Sequence, residues 1–230
     1  EGLSHNAILN QLDGPIMTDV IFEVIREHPR DSLIMQITRE RITANSVFED
    51  HEENILYFKI NYFNENTSAS LLKKITKVLE KTSSKSIGII IDVRGNPGGL
   101  LKQSVKVANM FLEHGKIVST KGRHPQSIHE YNASGSDILK GLPMIVLIDG
   151  LSASASEIFA ASLQDQNRAI IVGTSSFGKG TVQTVEKLPN NGEIILTWSQ
   201  FVAPSGYYIQ GLGVRPTICI SDTNFSLTET

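Results

Sequence analysis

SIGIIIDVRGNPGG, residues 86–99, is the stretch that decides the fold. SIGIIIDV is a continuous apolar run that ends in an aspartate. Such a run suits a strand covered on both faces, as in a parallel sheet. RGNPGG then turns the chain into an amphipathic helix over about 98–113, which Gly115 stops. The same order recurs twice. PMIVLID (143–149) is a second buried strand, followed by SASASE (152–157) and a helix to about Asp165. RAIIVG (168–173) is a third, followed by SSFGKG (175–180). Three such units with buried strands predict an α/β core.

Upstream, ILYFKINYF (55–63) reads as a strand, and SLLKKITKVLEK (70–81) as a helix with Leu71, Leu72, Ile75, Val78 and Leu79 on one side. KIVST (116–120) is a further strand, and residues 121–140 read as polar and irregular. Downstream, TVQTVEKL and EIILTWSQFVA flank Asn190-Asn191-Gly192 as a hairpin. The chain opens with a helix, SHNAILNQL (4–12), ended by Gly14-Pro15. Two strands follow, DVIFEVIRE (19–27) and LIMQITRE (33–40), joined by the turn HPRDS.

The bulk numbers narrow the function classes. The 230 residues are 40% hydrophobic and 20% charged, which fits a globular protein with a substantial core. A net charge of −3 and the lack of a Lys/Arg cluster with interleaved aromatics argue against nucleic acid as a partner. Cys219 is the sole cysteine, so an internal disulfide is excluded, and it reads as a small buried side chain. The six histidines have no metal-ligand spacing, so neither a metal nor another cofactor is expected. No apolar run approaches the roughly 18 residues of a membrane helix. No signal peptide is visible, although the chain begins at Glu1.

The chemistry should sit in three loops: RGNPGG, SASASE and SSFGKG. The first two lie at the carboxyl ends of buried strands and at helix starts, where α/β proteins bind ligands and where free N–H groups face negative charge. Ser154-x-x-Glu157 fits a capping box, and capping alone would account for both residues. It is equally the place for a nucleophilic serine, which needs a base. None of the three loops holds a histidine, so Lys179, between Gly178 and Gly180, is the candidate base. A solvated lysine with a pKa near 10.4 is neutral in only about one molecule in 10³ at pH 7. The base reading therefore expects burial, with Phe177 and nearby strand residues supplying it. If a strand begins near Lys179, then Lys179, Thr181 and Gln183 share a face, and the Gln183 carbonyl could hold the lysine amine. Gly98-Gly99 reads either as a tight turn or as part of an oxyanion hole with Ala155 N–H.

Together, Asp92-Val-Arg94-Gly-Asn96-Pro-Gly98-Gly99, Ser152-Ala-Ser-Ala-Ser-Glu-Ile158 and Ser176-Phe-Gly-Lys-Gly-Thr-Val-Gln183 resemble the C-terminal processing peptidases, or tail-specific proteases. These are Ser–Lys endopeptidases with a PDZ domain beside the protease core. The resemblance runs from about residue 1 to 218. It implies Ser154 as nucleophile, Lys179 as base and Gln183 as its support. It implies the N–H groups of Ala155 and Gly98 as oxyanion donors, and Asp165 as an acidic residue that supports the fold. Ser152 and Ser156 are not implied as nucleophiles.

The expected architecture is an α/β, βα-repeat protease core resembling the crotonase/Clp-type superfold, with a partial PDZ-like segment before it. Residues 1–42 would be the C-terminal part of that PDZ-like domain and 43–230 the protease core. The first half of the PDZ domain, with the loop that grips a substrate carboxylate, has no counterpart in this sequence. The implied substrates are proteins or peptides with apolar C-terminal tails in a bacterial cell envelope, and an oligomer is compatible with the family. Two other readings of the same residues are a catalytically inactive peptide-binding module of this fold and an acyl-CoA enzyme of the crotonase type. The second would not need a serine–lysine pair, and no CoA-phosphate patch is evident.

Overall fold

The structure, a computed structural model, describes residues 4–27, 30–40, 44–52, 54–82, 87–190 and 192–220. It divides into two compact units, Glu1–Ala44 and Asn45–Thr230.

The first unit is a helix and a hairpin. Helix α1 (His5–Leu12) is capped by the Ser4 hydroxyl, which accepts from Ala7 N–H. Strands β1 (Asp19–Glu27) and β2 (Arg30–Thr38) pair antiparallel. The second strand therefore starts at Arg30 rather than at Leu33, and His28-Pro29 lies outside the described residues. Arg39 joins helix and hairpin: its guanidinium donates to the carbonyls of Leu12 and Asp19 and to the Thr18 hydroxyl.

The second unit is built on a six-stranded sheet in the order β12–β9–β8–β5–β4–β3. Its strands are β3 (Val47–Glu52), β4 (Ile55–Ile60), β5 (Gly88–Asp92), β8 (Met144–Ile148), β9 (Ile170–Gly173) and β12 (Ile218–Cys219). All neighbours run parallel except β3, which returns antiparallel against β4. The parallel order follows from the helical crossovers α2 (Thr67–Thr82), α3 (Leu101–Asn109) and α4 (Ala155–Asp165). A second, antiparallel sheet has the order β10–β11–β6–β7, from β6 (Lys116–Lys121), β7 (His129–Asn132), β10 (Thr181–Lys187) and β11 (Glu193–Val202).

The core forms where α3 and α4 meet and where α4 meets β6 and β9. Phe159 of α4 is its centre. Its ring lies 6.4 Å from those of Phe63 and Phe111, both also buried. Every residue of α4 from Ala155 to Leu163 is buried. The helix can be enclosed this way because its sequence is rich in Ala and Ser, whose small side chains let neighbouring backbones approach. Among the described residues, no helix is long and apolar enough to cross a membrane.

Several expectations need correction. Helix α3 spans Leu101–Asn109, not 98–113. Gly98 and Gly99 stand at φ +105° and +136°, outside helical space, and the far end tightens into i→i−3 bonds at Met110 and Phe111. The 55–63 strand ends at Ile60. Leu72 is 41% exposed, so the buried stripe of α2 is carried by Leu71, Ile75 and Val78. Strand β3 was not anticipated, because VFEDHE carries three carboxylates and a histidine on an edge strand. The 121–140 stretch holds a 3₁₀ turn (Pro125–Ser127) and β7. Cys219 is exposed, since β12 is a two-residue edge strand. The hairpin joining β10 and β11 is present, with Asn191 outside the described residues.

Asp92, at the end of β5, is fully buried and anchors the carboxyl edge of the sheet. It accepts from Tyr57 Oη at 2.5 Å, from Arg94 Nε and Nη2 at 3.0 and 2.8 Å, and from Arg94 N–H at 2.8 Å. Burial pushes its carboxyl up, but the hydrogen bonds from Arg94 and Tyr57 outweigh that and hold it below the ordinary 3.8. The folded value lies below the unfolded one. Its contribution is therefore full above about pH 4 and lost as pH falls through the folded value. Asp92→Asn should lower the urea-unfolding free energy at pH 7 by about 1–3 kcal/mol, with the gap to the unaltered protein narrowing below pH 4.

Candidate active site

The three loops singled out by the sequence converge at the carboxyl ends of β5, β8 and β9. Asn96, fully buried, is the first joint. Its Nδ2 donates to the Ile60 carbonyl at 2.8 Å, and its Oδ1 accepts Gly98 N–H at 2.9 Å. Its own carbonyl accepts Ala153 N–H at 3.0 Å and the Ser156 hydroxyl at 3.0 Å. The RGNPGG loop is thereby bonded directly to SASASE.

The three serines of SASASE have separate fates. Ser152 is fully buried; its hydroxyl donates to the Val93 carbonyl at 2.8 Å and accepts Asp149 N–H at 3.0 Å. Ser156 is fully buried and spent on Asn96. Ser154 alone is partly exposed, at the N-cap of α4 with φ 56° and ψ −112°. That backbone is strained for a residue with a Cβ, and such strain persists only where its surroundings enforce it.

The enforcing group is Glu157. Its carboxylate, fully buried, accepts Ser154 N–H at 2.7 Å. The capping box is thus present, but its halves are unequal. Glu157 N–H goes to the Ser154 carbonyl at 2.9 Å, and the Ser154 hydroxyl makes no cap hydrogen bond. The same carboxylate accepts the Ser176 hydroxyl at 2.5 Å, Gly178 N–H at 2.6 Å and Lys179 N–H at 2.9 Å. One buried side chain therefore holds both the serine turn and the lysine loop. The sequence flagged Glu157 only as a cap, because its other three donors lie 19 to 22 residues away.

Two amides near Ser154 are unused. Among the described residues, the N–H groups of Ala155 and Gly99 make no hydrogen bond, although Ala155 is buried. Gly98 N–H, the expected oxyanion donor, is occupied by Asn96. Gly98 nevertheless lies against the serine turn: a Cβ there would come within 2.7 Å of the Ala153 carbonyl and 2.9 Å of Ser154 Cβ.

Lys179 and Gln183 differ from expectation. Lys179 is exposed, and Phe177 is 65% exposed, so neither supplies the burial anticipated. Glu157 fixes the lysine's backbone, while its ammonium makes no hydrogen bond or ion pair among the described residues. Strand β10 begins only at Thr181, and its register with β11 shifts between Val182 and Gln183, leaving Trp198 as the extra residue. The extra residue lies on β11, so Thr181 and Gln183 keep their i, i+2 relation on β10 while the strand they face is offset at Trp198. Gln183 is exposed, and its amide donates to the Thr197 hydroxyl at 3.0 Å. Asp165, at the end of α4, accepts the Ser205 N–H and hydroxyl at 2.8 and 2.7 Å, tying the helix to a surface turn.

The carboxyl edge of the parallel sheet thus carries a strained, partly exposed serine at the start of a buried helix, joined through Glu157 to the loop that bears Lys179. The chain belongs to Peptidase family S41, whose family model matches residues 54–220. A carboxy-terminal-processing protease of Bartonella bacilliformis is 40% identical over 220 residues, covering 95% of this chain and 51% of that protein. A probable CtpA-like serine protease of Staphylococcus aureus is 32% identical, covering 98% of this chain and 45% of its own length. The chain therefore spans about half the length of the curated relatives it matches. Among solved structures, a photosystem II D1 C-terminal processing protease superposes with a TM-score of 0.69 at 29% identity, over 90% of this chain and 57% of that one. A structure of mature CPAF shares the fold at a TM-score of 0.60 and 16% identity, over 90% of this chain and 50% of that one.

Glu157→Gln keeps the shape but presents an NH₂ group to amides that need an acceptor. Peptide cleavage should fall by about 10²-fold, the scale of a roughly 1 Å misplacement, with circular dichroism unchanged. Gly98→Ala should push against the serine turn and lower cleavage at least as much.

Proposed function

We propose that this chain carries the core of a serine endopeptidase that cuts protein substrates near their C-termini with a Ser154–Lys179 dyad. The observation that carries the reading is the state of Ser154. It is the one serine of SASASE whose hydroxyl is not consumed by the fold, and it stands at strained φ at a helix start beside an unused amide. Family membership and the name of the Bartonella relative supply the substrate class.

In this reading neutral Lys179 takes the Ser154 proton as Oγ attacks the scissile carbonyl. Ala155 N–H and an N–H of Gly98-Gly99 hold the oxyanion, with Gly98 leaving Asn96 to do so. The lysine then gives its proton to the departing amine, and water, deprotonated by the same lysine, releases the acyl-enzyme. Lys179 is exposed, so a substrate lying across Phe177 and Lys179 would supply the burial that a lysine base needs. Gln183 would turn from Thr197 to support the amine once that closure occurs. Asp165 acts from the far end of α4 by fixing the helix.

We also infer that residues 1–42 are part of a PDZ-like domain, that the core from 43 onward is of the crotonase/Clp type, and that the protein works in a bacterial cell envelope. Helix α1 with a two-stranded antiparallel hairpin, and the alternation of parallel strands with helices, support the two structural readings. The bacterial relatives support the third.

Ser154→Ala and Lys179→Ala should each abolish cleavage of a peptide with an apolar C-terminal tail, and a fluorophosphonate should label the unaltered protein at Ser154 alone. Activity retained in either variant would refute the dyad. Failure to label Ser154 would favour the inactive peptide-binding module.

A further inference from the structure

A cleft of about 520 Å³ opens on the second sheet, lined by Lys121, Gly122, Arg123, His124, Thr197, Trp198, Ser199 and Gln200. The proposed chemistry does not use it. Its charge is one-sided. Lys121 and Arg123 are exposed, and neither side chain makes an ion pair or hydrogen bond among the described residues. His124 is exposed and spends only Nδ1, which accepts Gln126 N–H at 3.2 Å. Among the described residues, no carboxylate lines the cleft. The Glu130 carboxylate on neighbouring β7 is engaged by Lys116 at 3.0 Å.

The wall is built rather than loose. The turn carrying Arg123 and His124 is pinned at Ser127, whose carbonyl accepts from the Thr120 hydroxyl at 2.7 Å and the Ser199 hydroxyl at 3.2 Å. Gly122 lets the chain press on β11: a Cβ there would lie 2.2 Å from the Trp198 carbonyl. Trp198 is the residue the bulge leaves over. The residue is 39% exposed, and its ring meets that of His129 edge-on at 6.5 Å. The cleft thus offers an apolar ring beside exposed positive charge.

Its position ties it to the reaction centre. Thr181, two residues after Lys179, pairs with Gln200, and Gln200 pairs with Lys121. Two strand spacings place Lys121 about 10 Å from Thr181. Thr197, in the cleft, receives the hydrogen bond from Gln183. An extended peptide advances about 3.3 Å per residue, so a segment held at Lys179 reaches the cleft within about five residues.

We propose that this cleft is a subsite of the protease core for the free α-carboxylate of the substrate, with Arg123 and Lys121 binding the carboxylate and Trp198 packing on the last apolar side chain. The proposal rests on the C-terminal peptidase reading. It adds a determinant of C-terminal specificity that lies wholly within the second unit.

Trp198 is the only tryptophan in the chain, so its fluorescence reports the cleft itself. The Ser154→Ala protein is titrated with an acetylated hexapeptide of Ala, Val and Leu, once as the free acid and once as the C-terminal amide. The free acid should shift Trp198 emission saturably, the amide at least 10-fold more weakly, and added salt should erode the difference. Combined Lys121→Glu and Arg123→Glu should abolish the preference. Arg123→Gln alone should reduce it about 3-fold, which keeps the test open if the double variant does not fold. Equal response to acid and amide overturns the proposal, as does a preference that survives charge reversal. An amidated peptide with an internal Glu that binds as well as the free acid overturns it too. The readout needs no turnover, so failure of the dyad and failure of the subsite remain separate results.

Discussion

The candidate site depends on one buried carboxylate accepting four hydrogen bonds. Glu157 holds Ser154 N–H, the Ser176 hydroxyl and the amides of Gly178 and Lys179. A buried carboxylate is tolerated only when its lone pairs are satisfied, and donors around it are costly to orphan. The serine turn and the lysine loop therefore cannot move independently at low cost. The strained φ of Ser154 is a consequence: the turn is shaped by what Glu157 and Asn96 grip, not by serine's own preference.

A division of labour follows. Polar side chains that could have been nucleophiles or donors are consumed in joining loops: Ser152 to Val93, Ser156 to Asn96, and Ser104 to the Ala155 carbonyl at 2.6 Å. Among the described residues, the Ser154 hydroxyl, the Ala155 and Gly99 amides and the Lys179 ammonium remain without a hydrogen-bond partner. The backbone of Lys179 is held by Glu157 while its side chain stays exposed.

Much of this was legible in the residues. The three apolar runs read from the sequence contain β5, β8 and β9, because a strand covered on both faces cannot carry polar alternation. The helix start at SASASE also holds, and the middle serine is the one the fold leaves partly exposed. What escaped the sequence was long-range. Asn96 and Glu157 read as a turn residue and a cap, and their partners become visible only when three loops meet. The exposure of Lys179 and the bulge at Trp198 depend on how β10 meets β11, which local alternation does not encode. Strand β3 escaped because an edge strand needs no apolar face. Glycines predicted to begin α3 instead bend the chain ahead of it.

The most direct measurement of the coupling is native-state amide hydrogen exchange at Ser154, Gly178 and Lys179, residue by residue, with increasing denaturant. If Glu157 joins the two loops, the three amides should open together with one free energy, well above that of the exposed β10–β11 hairpin. If Gly178 and Lys179 exchange as freely as unprotected loop amides while Ser154 stays protected, the lysine loop is not held by that carboxylate, and the account is contradicted.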